Sequence, residues 1–126
     1  MIKGIGVDII EISRIQDSLD RLGSSFTRKI FTEQEVQYCS SKAHPAQHYA
    51  ARFAAKEAMS KALATGWAGD FRWKNVEVVN ALSGKPEIVL HGRTKETVAG
   101  NAIHLTISHS DTSVVAFVVI ESTLKD

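Results

Sequence analysis

The sequence predicts an α+β fold, in which one long central helix packs on a small antiparallel sheet. The helix is indicated by residues 52–61, which are rich in Ala and free of Gly, Pro and β-branched residues. The sheet is indicated by Val-rich and Ile-rich stretches, separated by turn residues, in the second half of the chain. The length of 126 residues, with 44% apolar and 23% charged residues, is typical of one globular domain, which we assign to residues 1–126.

Composition excludes several classes of protein. The formal net charge of +1 gives no indication of nucleic-acid binding. Cys39 is the only cysteine, so an intramolecular disulfide and a cysteine-based metal cluster are both excluded, and a reducing cytoplasm is the expected location. We expect neither a signal peptide nor a membrane-spanning segment, since the sequence lacks an apolar signal core and an apolar run of about 18 residues.

The first element is a predicted strand over residues 2–10. Ile5, Val7 and Ile9 point to one side of it, and Gly6 and Asp8 to the other. Glycines within a strand usually mark the close approach of another backbone or of a ligand. The Asp8 carboxylate therefore lies beside an unusually open stretch of main chain, either as the cap of the next helix or as part of a site.

A helix is predicted over residues 11–22, and Gly23 is a typical residue for its C-terminal end. Its apolar stripe consists of Ile12, Ile15, Leu19 and Leu22. Arg14 and Arg21 are seven residues apart and so share one face. That face is either simply solvated or a docking surface for an acidic partner.

Thr32 and Glu35 have the spacing of a capping box, which predicts the start of a short second helix. Pro45 suits the first turn of the long helix, which we expect to run for about twenty residues and to end before Gly66. The buried stripe of the long helix is predicted to contain Ala50, Phe53, Ala54, Ala58 and Ala62. Continuing this stripe brings in Glu57 and Lys61, which form either a mutual i,i+4 pair or part of a functional site.

The second half is predicted to contain a hairpin of strands 76–80 and 87–90, joined by the turn-rich residues 81–86. A short helix is predicted over 94–99, followed by a strand around 103–107 with one buried and one polar side. The last strand, 114–120, is nearly continuous in Val and Ile, which predicts burial on both of its faces.

Asp8 and Glu57 are candidate ligands for a hard cation, most plausibly Mg²⁺, which takes oxygen ligands and completes its shell with water and phosphate. Lys61, one turn after Glu57, would then lie beside that phosphate, and Arg52 offers a second phosphate contact. Two simpler interpretations stay open. Asp8 and Lys61 could form a purely structural bridge, and His109 could be only a solvated turn residue.

Other sites are excluded by spacing. Residues 108–111 include Ser, His and Asp, but neighbours in sequence do not converge as a catalytic triad, and a Gly-x-Ser-x-Gly motif is absent. The sequence contains neither a Walker loop nor the third glycine of a dinucleotide-binding motif. One cysteine and scattered histidines make a zinc site improbable.

Two paired motifs carry a family resemblance. Gly6-Val7-Asp8, followed far downstream by residues 53–62 (Phe-Ala-Ala-Lys-Glu-Ala-Met-Ser-Lys-Ala), resembles the 4′-phosphopantetheinyl transferase superfamily. Within it, the chain is similar to the short bacterial holo-[acyl-carrier-protein] synthase type from residue 1 to about residue 122. Weaker matches are Thr65-Gly66, Gly84-Lys85-Pro86 and the Ile-Ser-His-Ser sequence of residues 107–110.

The resemblance implies transfer of the phosphopantetheine arm of coenzyme A to a serine of an acidic apo acyl carrier protein, which leaves adenosine 3′,5′-bisphosphate. It implies a homotrimer with active sites between subunits, and neither a nucleic-acid nor a membrane partner. Asp8, Glu57 and Lys61 would be catalytic, with Mg²⁺ held by the two carboxylates, while Arg14 and Arg21 would receive the carrier. The residues implied in coenzyme A binding are Arg52, Lys61, Gly66, Gly84, Lys85, Pro86 and His109.

The residue that takes the serine proton is left open between Glu57 acting through a water and a carboxylate acting directly. Two other functions also stay open. One is an interaction module that has kept the arginine face but lost catalysis, and the other is a metal-dependent phosphohydrolase.

Overall fold

A computed structural model describes residues 1–64 and 71–123, and within these ranges it contains five strands and five α-helices. The elements in chain order are β1 (Ile2–Glu11), α1 (Ile12–Leu22), α2 (Ser24–Ile30), α3 (Glu33–Ser40), α4 (Pro45–Leu63), β2 (Val76–Asn80), β3 (Pro86–Leu90), α5 (Gly92–Thr97), β4 (Asn101–His109) and β5 (Ser113–Ser122). A 3-10 turn, Trp73–Asn75, precedes β2. No described helix is both long and apolar enough to cross a bilayer.

The strands form two antiparallel sheets rather than one. The larger has the order β1-β5-β4, and the smaller is the predicted hairpin of β2 and β3. In the larger sheet Asp8 and Ile107 both pair with Ala116, so the three residues lie in one row across the strands. The α+β class is thus confirmed, and so is the packing of the long helix on an antiparallel sheet, since α4 contacts both β1 and β5.

The close approach predicted at the glycines of β1 is found at Gly6. A Cβ atom on Gly6 would lie 1.8 Å from the carbonyl oxygen of Ala58 in α4. Ala54, Ala58 and Ala62 have no exposed surface, so small residues bring the helix backbone onto the strand. This contact is what sets β1, and therefore Asp8, directly against α4.

The central strand β5 is covered on one face only, which corrects the prediction of burial on both faces. Val114, Ala116, Val118 and Ile120 are fully buried on one side. On the other side Phe117 is 40% exposed. The same outer face carries Val7 and Ile9 of β1, which are 49% and 70% exposed. The continuous apolar pattern of β5 therefore reflects a sheet face that this single chain leaves open.

The predicted helix ends are largely found. Gly23 ends α1 with a positive φ of 53°, and Thr32 caps α3 in a capping box with Glu35. Thr32 also donates its hydroxyl proton to Glu77 of β2, and Glu77 contacts His91 at 2.9 Å. The fifth helix begins two residues earlier than predicted, at Gly92, and ends at Thr97.

A buried ion pair fastens the hairpin to the helices, and sequence patterns did not predict it. Lys56 of α4 and Glu35 of α3 have no exposed side-chain surface, and their charged atoms lie 2.8 Å apart. The Lys56 ammonium also donates to the carbonyl oxygens of Trp73 and Val76, and Glu35 accepts from the amide of Val78. A two-stranded hairpin is marginally stable alone, so these contacts help to hold it in place.

Candidate active site

Asp8 and Lys61 meet where β1 crosses the last part of α4. The Asp8 carboxylate lies 3.2 Å from the Lys61 ammonium, which also donates to the carbonyl oxygen of Val7 at 3.0 Å. The Asp8 side chain is 16% exposed and that of Lys61 is 54% exposed. The bridge considered from the sequence therefore exists, and it lies at the rim of the core, where it is open to solvent.

Glu57 belongs to the same cluster. Burial raises the pKa of the Glu57 carboxyl, the nearby Asp8 carboxylate raises it further, and the Lys61 ammonium partly opposes them. Glu57 lies one turn before Lys61 on α4, and its carboxyl is close enough to Asp8 of β1 for the two charges to interact. Two acidic groups and one ammonium thus converge at this point from one strand and one helix.

The chemistry of this cluster is compatible with a divalent cation as well as with a structural bridge. Two carboxylates compete here for one ammonium, and their mutual repulsion is relieved by a second positive charge. Within the part of the chain that the structure describes, no group of three or more His, Cys, Asp or Glu side chains could hold a metal ion. The two carboxylates therefore provide a partial ligand set, of the kind that Mg²⁺ completes with water and substrate phosphate.

Arg52 lies on another side of α4, and it is more buried than the sequence suggested. Only 5% of Arg52 is exposed, its guanidinium carbon lies 4.1 Å from the centre of the Tyr38 ring, and Nη2 donates to Asn80 Oδ1 at 2.9 Å. Its buried Nε has no hydrogen-bond partner among the described residues. This donor is therefore unsatisfied within the described part of the chain.

His109 ends β4 and reaches α4, where its Nε2 lies 3.2 Å from the Gln47 side-chain nitrogen. It also belongs to a cluster of basic groups around His48. Burial lowers the pKa of His48, and the charges of Arg52, Lys42, His109 and His44 lower it further. The charges of Arg52 and Lys42 create a positive potential near the start of α4, which suits a phosphate. Sequence reasoning missed Lys42, His44 and His48, although three basic residues within 42–48 were an available signal.

Gly84 and Lys85 are exposed in the turn of the β2–β3 hairpin, and the half-buried Pro86 begins β3. Gly84 has a φ of 89°, a conformation that favours glycine. Its carbonyl oxygen accepts a hydrogen bond from Asn80, which also binds Arg52. The turn and Arg52 are thereby brought together, but within the described part of the chain neither is hydrogen-bonded to Asp8 or Lys61.

The predicted docking residues Arg14 and Arg21 lie on α1. Arg14 and Arg21 are exposed on α1, and Arg21 is paired with Asp17 at 2.9 Å in a solvated contact. An exposed ion pair of this kind is weak, so Arg21 stays accessible to a partner. Arg14 is exposed as well. Gly66 lies outside the described residues.

The chain matches a known protein family and several of its members. The model of the 4′-phosphopantetheinyl transferase superfamily matches residues 4–118. A holo-[acyl-carrier-protein] synthase of Geobacter sp. (strain M21) is 49% identical over 124 residues, which cover 96% of this chain and 99% of the relative.

Two solved structures have the same fold. A holo-(acyl-carrier-protein) synthase from Bacillus anthracis, in complex with CoA (3′,5′-ADP), is 39% identical, with a TM-score of 0.81 and coverage of 98% of this chain and 99% of that one. The holo-[acyl-carrier-protein] synthase of Neisseria meningitidis is 34% identical, with a TM-score of 0.86 and coverage of 97% and 100%. The chain is therefore a transferase enzyme that belongs to the 4′-phosphopantetheinyl transferase superfamily.

Proposed function

We propose that this single-domain enzyme transfers the 4′-phosphopantetheine group of coenzyme A to a serine of an apo acyl carrier protein. The observation that carries the proposal is the convergence of Asp8, Glu57 and Lys61 in a chain 49% identical to a holo-[acyl-carrier-protein] synthase. In this reaction the serine oxygen attacks the β-phosphorus of the coenzyme A pyrophosphate. The phosphorus–oxygen bond to the nucleotide breaks, and adenosine 3′,5′-bisphosphate leaves.

Asp8 and Glu57 would hold Mg²⁺, which neutralises charge on the pyrophosphate when it is bound. Lys61 would contact the same phosphates as a point charge, and its 54% exposed side chain has the freedom to do so. Because a carboxylate that binds a metal is a weak base, we favour a route in which the serine proton passes to a water beside Glu57 rather than directly to a carboxylate. The chain's own part in catalysis is therefore the positioning of the reactants and the stabilisation of charge.

Coenzyme A would be held by the residues that the family resemblance implies: Arg52, Lys61, Gly66, Gly84, Lys85, Pro86 and His109. Arg52 and His109 would contact its phosphates, which is supported by the cluster of basic groups around His48. Gly84, Lys85 and Pro86 would border the adenine, which is consistent with an exposed, conformationally defined turn.

The carrier protein would dock on α1 through Arg14 and Arg21. Acyl carrier proteins are acidic, and the two arginines lie seven residues apart on one exposed face. A bound acidic helix would compete with Asp17 for Arg21, at small cost because that pair is solvent-exposed.

A homotrimer with active sites between subunits is supported by the open face of the β1-β5-β4 sheet. Ile5, Val7, Ile9 and Phe117 are 51%, 49%, 70% and 40% exposed, and they lie on the same face of neighbouring strands. A contiguous apolar patch of this kind is typical of a protein–protein interface. Sedimentation of the wild type as a trimer, and of an Ile9→Glu variant as a monomer, is the expected result.

The test of the proposed function is mass spectrometry of apo carrier protein incubated with coenzyme A, Mg²⁺ and the enzyme. The wild type should add one phosphopantetheine to the carrier, whereas Asp8→Ala and Glu57→Ala should remain folded and lose transfer. A wild type that binds the carrier without modifying it would instead indicate an interaction module. Release of phosphate without modification of the carrier would indicate a phosphohydrolase.

A further inference from the structure

Asn80, at the end of β2, connects two parts of the proposed coenzyme A site. Its side-chain oxygen accepts from Arg52 Nη2 at 2.9 Å, and its side-chain nitrogen donates to the carbonyl oxygen of Gly84 at 3.0 Å. We propose that Asn80 is a positioning residue that fixes Arg52 and the β2–β3 turn relative to each other, so that both engage coenzyme A together. This inference rests on the proposed function.

The chemistry of the two contacts favours an asparagine. Arg52 can only donate at this position, and the Gly84 carbonyl can only accept, so the connecting group must accept at one end and donate at the other. A carboxylate of the same size satisfies Arg52 but repels the carbonyl oxygen. An aliphatic side chain satisfies neither.

Arg52 depends on such a partner because little else directs it. The Tyr38 ring lies 4.1 Å from its guanidinium carbon and restricts the plane of the group, but a ring face does not select a direction within that plane. Its buried Nε has no partner among the described residues, and no described carboxylate forms an ion pair with it. Among the described residues, the Asn80 oxygen is therefore the hydrogen-bond acceptor that directs the Arg52 guanidinium.

The turn receives the second hydrogen bond of Asn80. Gly84 already donates its amide to Ala81 at 2.8 Å, and Ala81 donates to Lys85 at 2.9 Å, so the turn has a defined shape of its own. The bond from Asn80 to Gly84 attaches this shape to the end of β2, next to Arg52. Fixing both parts before the ligand arrives lowers the entropic cost of binding.

The effect should therefore appear in the binding of coenzyme A and not in the chemical step. We expect Asn80→Ala to raise the KM for coenzyme A about tenfold, because two hydrogen bonds are lost, with kcat within about twofold of the wild type. Asn80→Asp should raise KM at least as much, since its charge neutralises Arg52 and its oxygen faces the Gly84 carbonyl. Calorimetric titration with coenzyme A should show, for each variant, a loss of affinity that matches its increase in KM.

The matched control is Leu82→Ser, because Leu82 lies in the same turn with its side chain fully exposed, and this variant should behave like the wild type. Coupling to Arg52 is tested with the Asn80→Ala/Arg52→Ala double variant. If Asn80 acts partly through Arg52, the fold increase in KM of the double variant should be smaller than the product of the fold increases in the two single variants. Both Asn80 variants should fold, since this side chain is exposed, and circular dichroism checks this.

The outcomes separate the two proposals. Suppose that the wild type transfers phosphopantetheine and that the KM of Asn80→Ala and of Asn80→Asp for coenzyme A is within twofold of the wild-type value. This result overturns the role of Asn80 and leaves the proposed function intact. The role of Asn80 is also overturned if the fold increase in KM of the double variant equals the product of the fold increases in the two single variants. A wild type without transfer activity contradicts the proposed function itself, and that result is read from the wild type alone.

Discussion

Replacing Lys56 with methionine tests how much the buried ion pair between α3 and α4 contributes to the fold. The Lys56 ammonium has no exposed surface, lies 2.8 Å from Glu35, and donates to the carbonyl oxygens of Trp73 and Val76. Methionine keeps most of the side-chain volume and removes the charge and all three contacts. The variant therefore isolates the polar contribution from packing.

The expected loss in the free energy of unfolding follows from the buried Glu35 carboxylate that the substitution leaves without its ion-pair partner. The Glu35 carboxylate stays buried with only two backbone donors, the amides of Thr32 and Val78, at 2.9 Å each. Removing one partner of a buried pair typically costs about 3–5 kcal/mol. Because the total free energy of unfolding of a domain is about 5–15 kcal/mol, the loss is a large share of it. With an m-value of about 1.5 kcal/mol/M, a cost of about 3 kcal/mol lowers the midpoint of urea unfolding by about 2 M.

The assay is urea unfolding, monitored by circular dichroism, of the wild type, Lys56→Met, Glu35→Gln and the double variant. Glu35→Gln should be milder than Lys56→Met, since Lys56 keeps two carbonyl acceptors and the glutamine can still accept from an amide. The double variant should be more stable than the sum of the single losses predicts. A Lys56→Met variant within about 1 kcal/mol of the wild type, or strictly additive losses, would refute this reasoning.

Three further predictions concern the site and its surroundings. Gly6→Ala should destabilise the fold by about 3 kcal/mol and reduce transfer, since the added Cβ would lie 1.8 Å from the backbone of α4. Urea unfolding measures the change in stability, and the transfer assay measures the change in activity. Unchanged stability would contradict the close packing of β1 on α4. Reversing both Arg14 and Arg21 to Glu should raise the KM for the carrier more than tenfold and leave coenzyme A affinity unchanged, whereas an unchanged carrier KM would exclude α1 as the docking surface. The pKa of Glu57 is raised above its ordinary value of 4.5, so its contribution to stability is fully present below that value and is lost as pH rises through the folded-state pKa. Glu57→Gln should consequently match the wild type in acid and exceed its thermal stability at neutral pH in the presence of a chelator. Added Mg²⁺ should stabilise the wild type and not the variant. A variant less stable than the wild type at neutral pH would show that burial of the charged Glu57 carboxylate and its repulsion from Asp8 do not destabilise the fold.

Local signals predicted most elements of secondary structure, although the helix α2 (Ser24–Ile30) was not predicted. Thr32 with Glu35, Pro45 and Gly23 each marked a helix end that the structure contains, because capping and helix termination depend on residues a few positions apart. The glycines of β1 indicated a close approach, which Gly6 makes to α4. The burial of both faces of β5 was wrongly predicted, since an apolar strand pattern does not reveal whether the second face is covered by the same chain.

The candidate site was predictable in part. Asp8, Glu57 and Lys61 were selected from residue types, spacing and family resemblance, and the structure brings these three together. The buried state of Arg52 and its bond to Asn80 were not predicted, because they join residues 28 positions apart through the docking of a hairpin on a helix. Among the basic groups around His48, those of residues 42–52 are close in sequence, whereas His109 joins them only through the approach of β4 to α4.

The sequence by itself determined the element types, the helix ends and the acidic and basic residues available for a metal and a phosphate. Only the tertiary structure decided which of those side chains meet, that Lys56 and Arg52 are buried, and that one face of the larger sheet is open. Caps, turns and periodicity act over a few residues and can be read along the chain. Burial and pairing depend on contacts between distant segments, and those contacts exist only once the helices and sheets have packed.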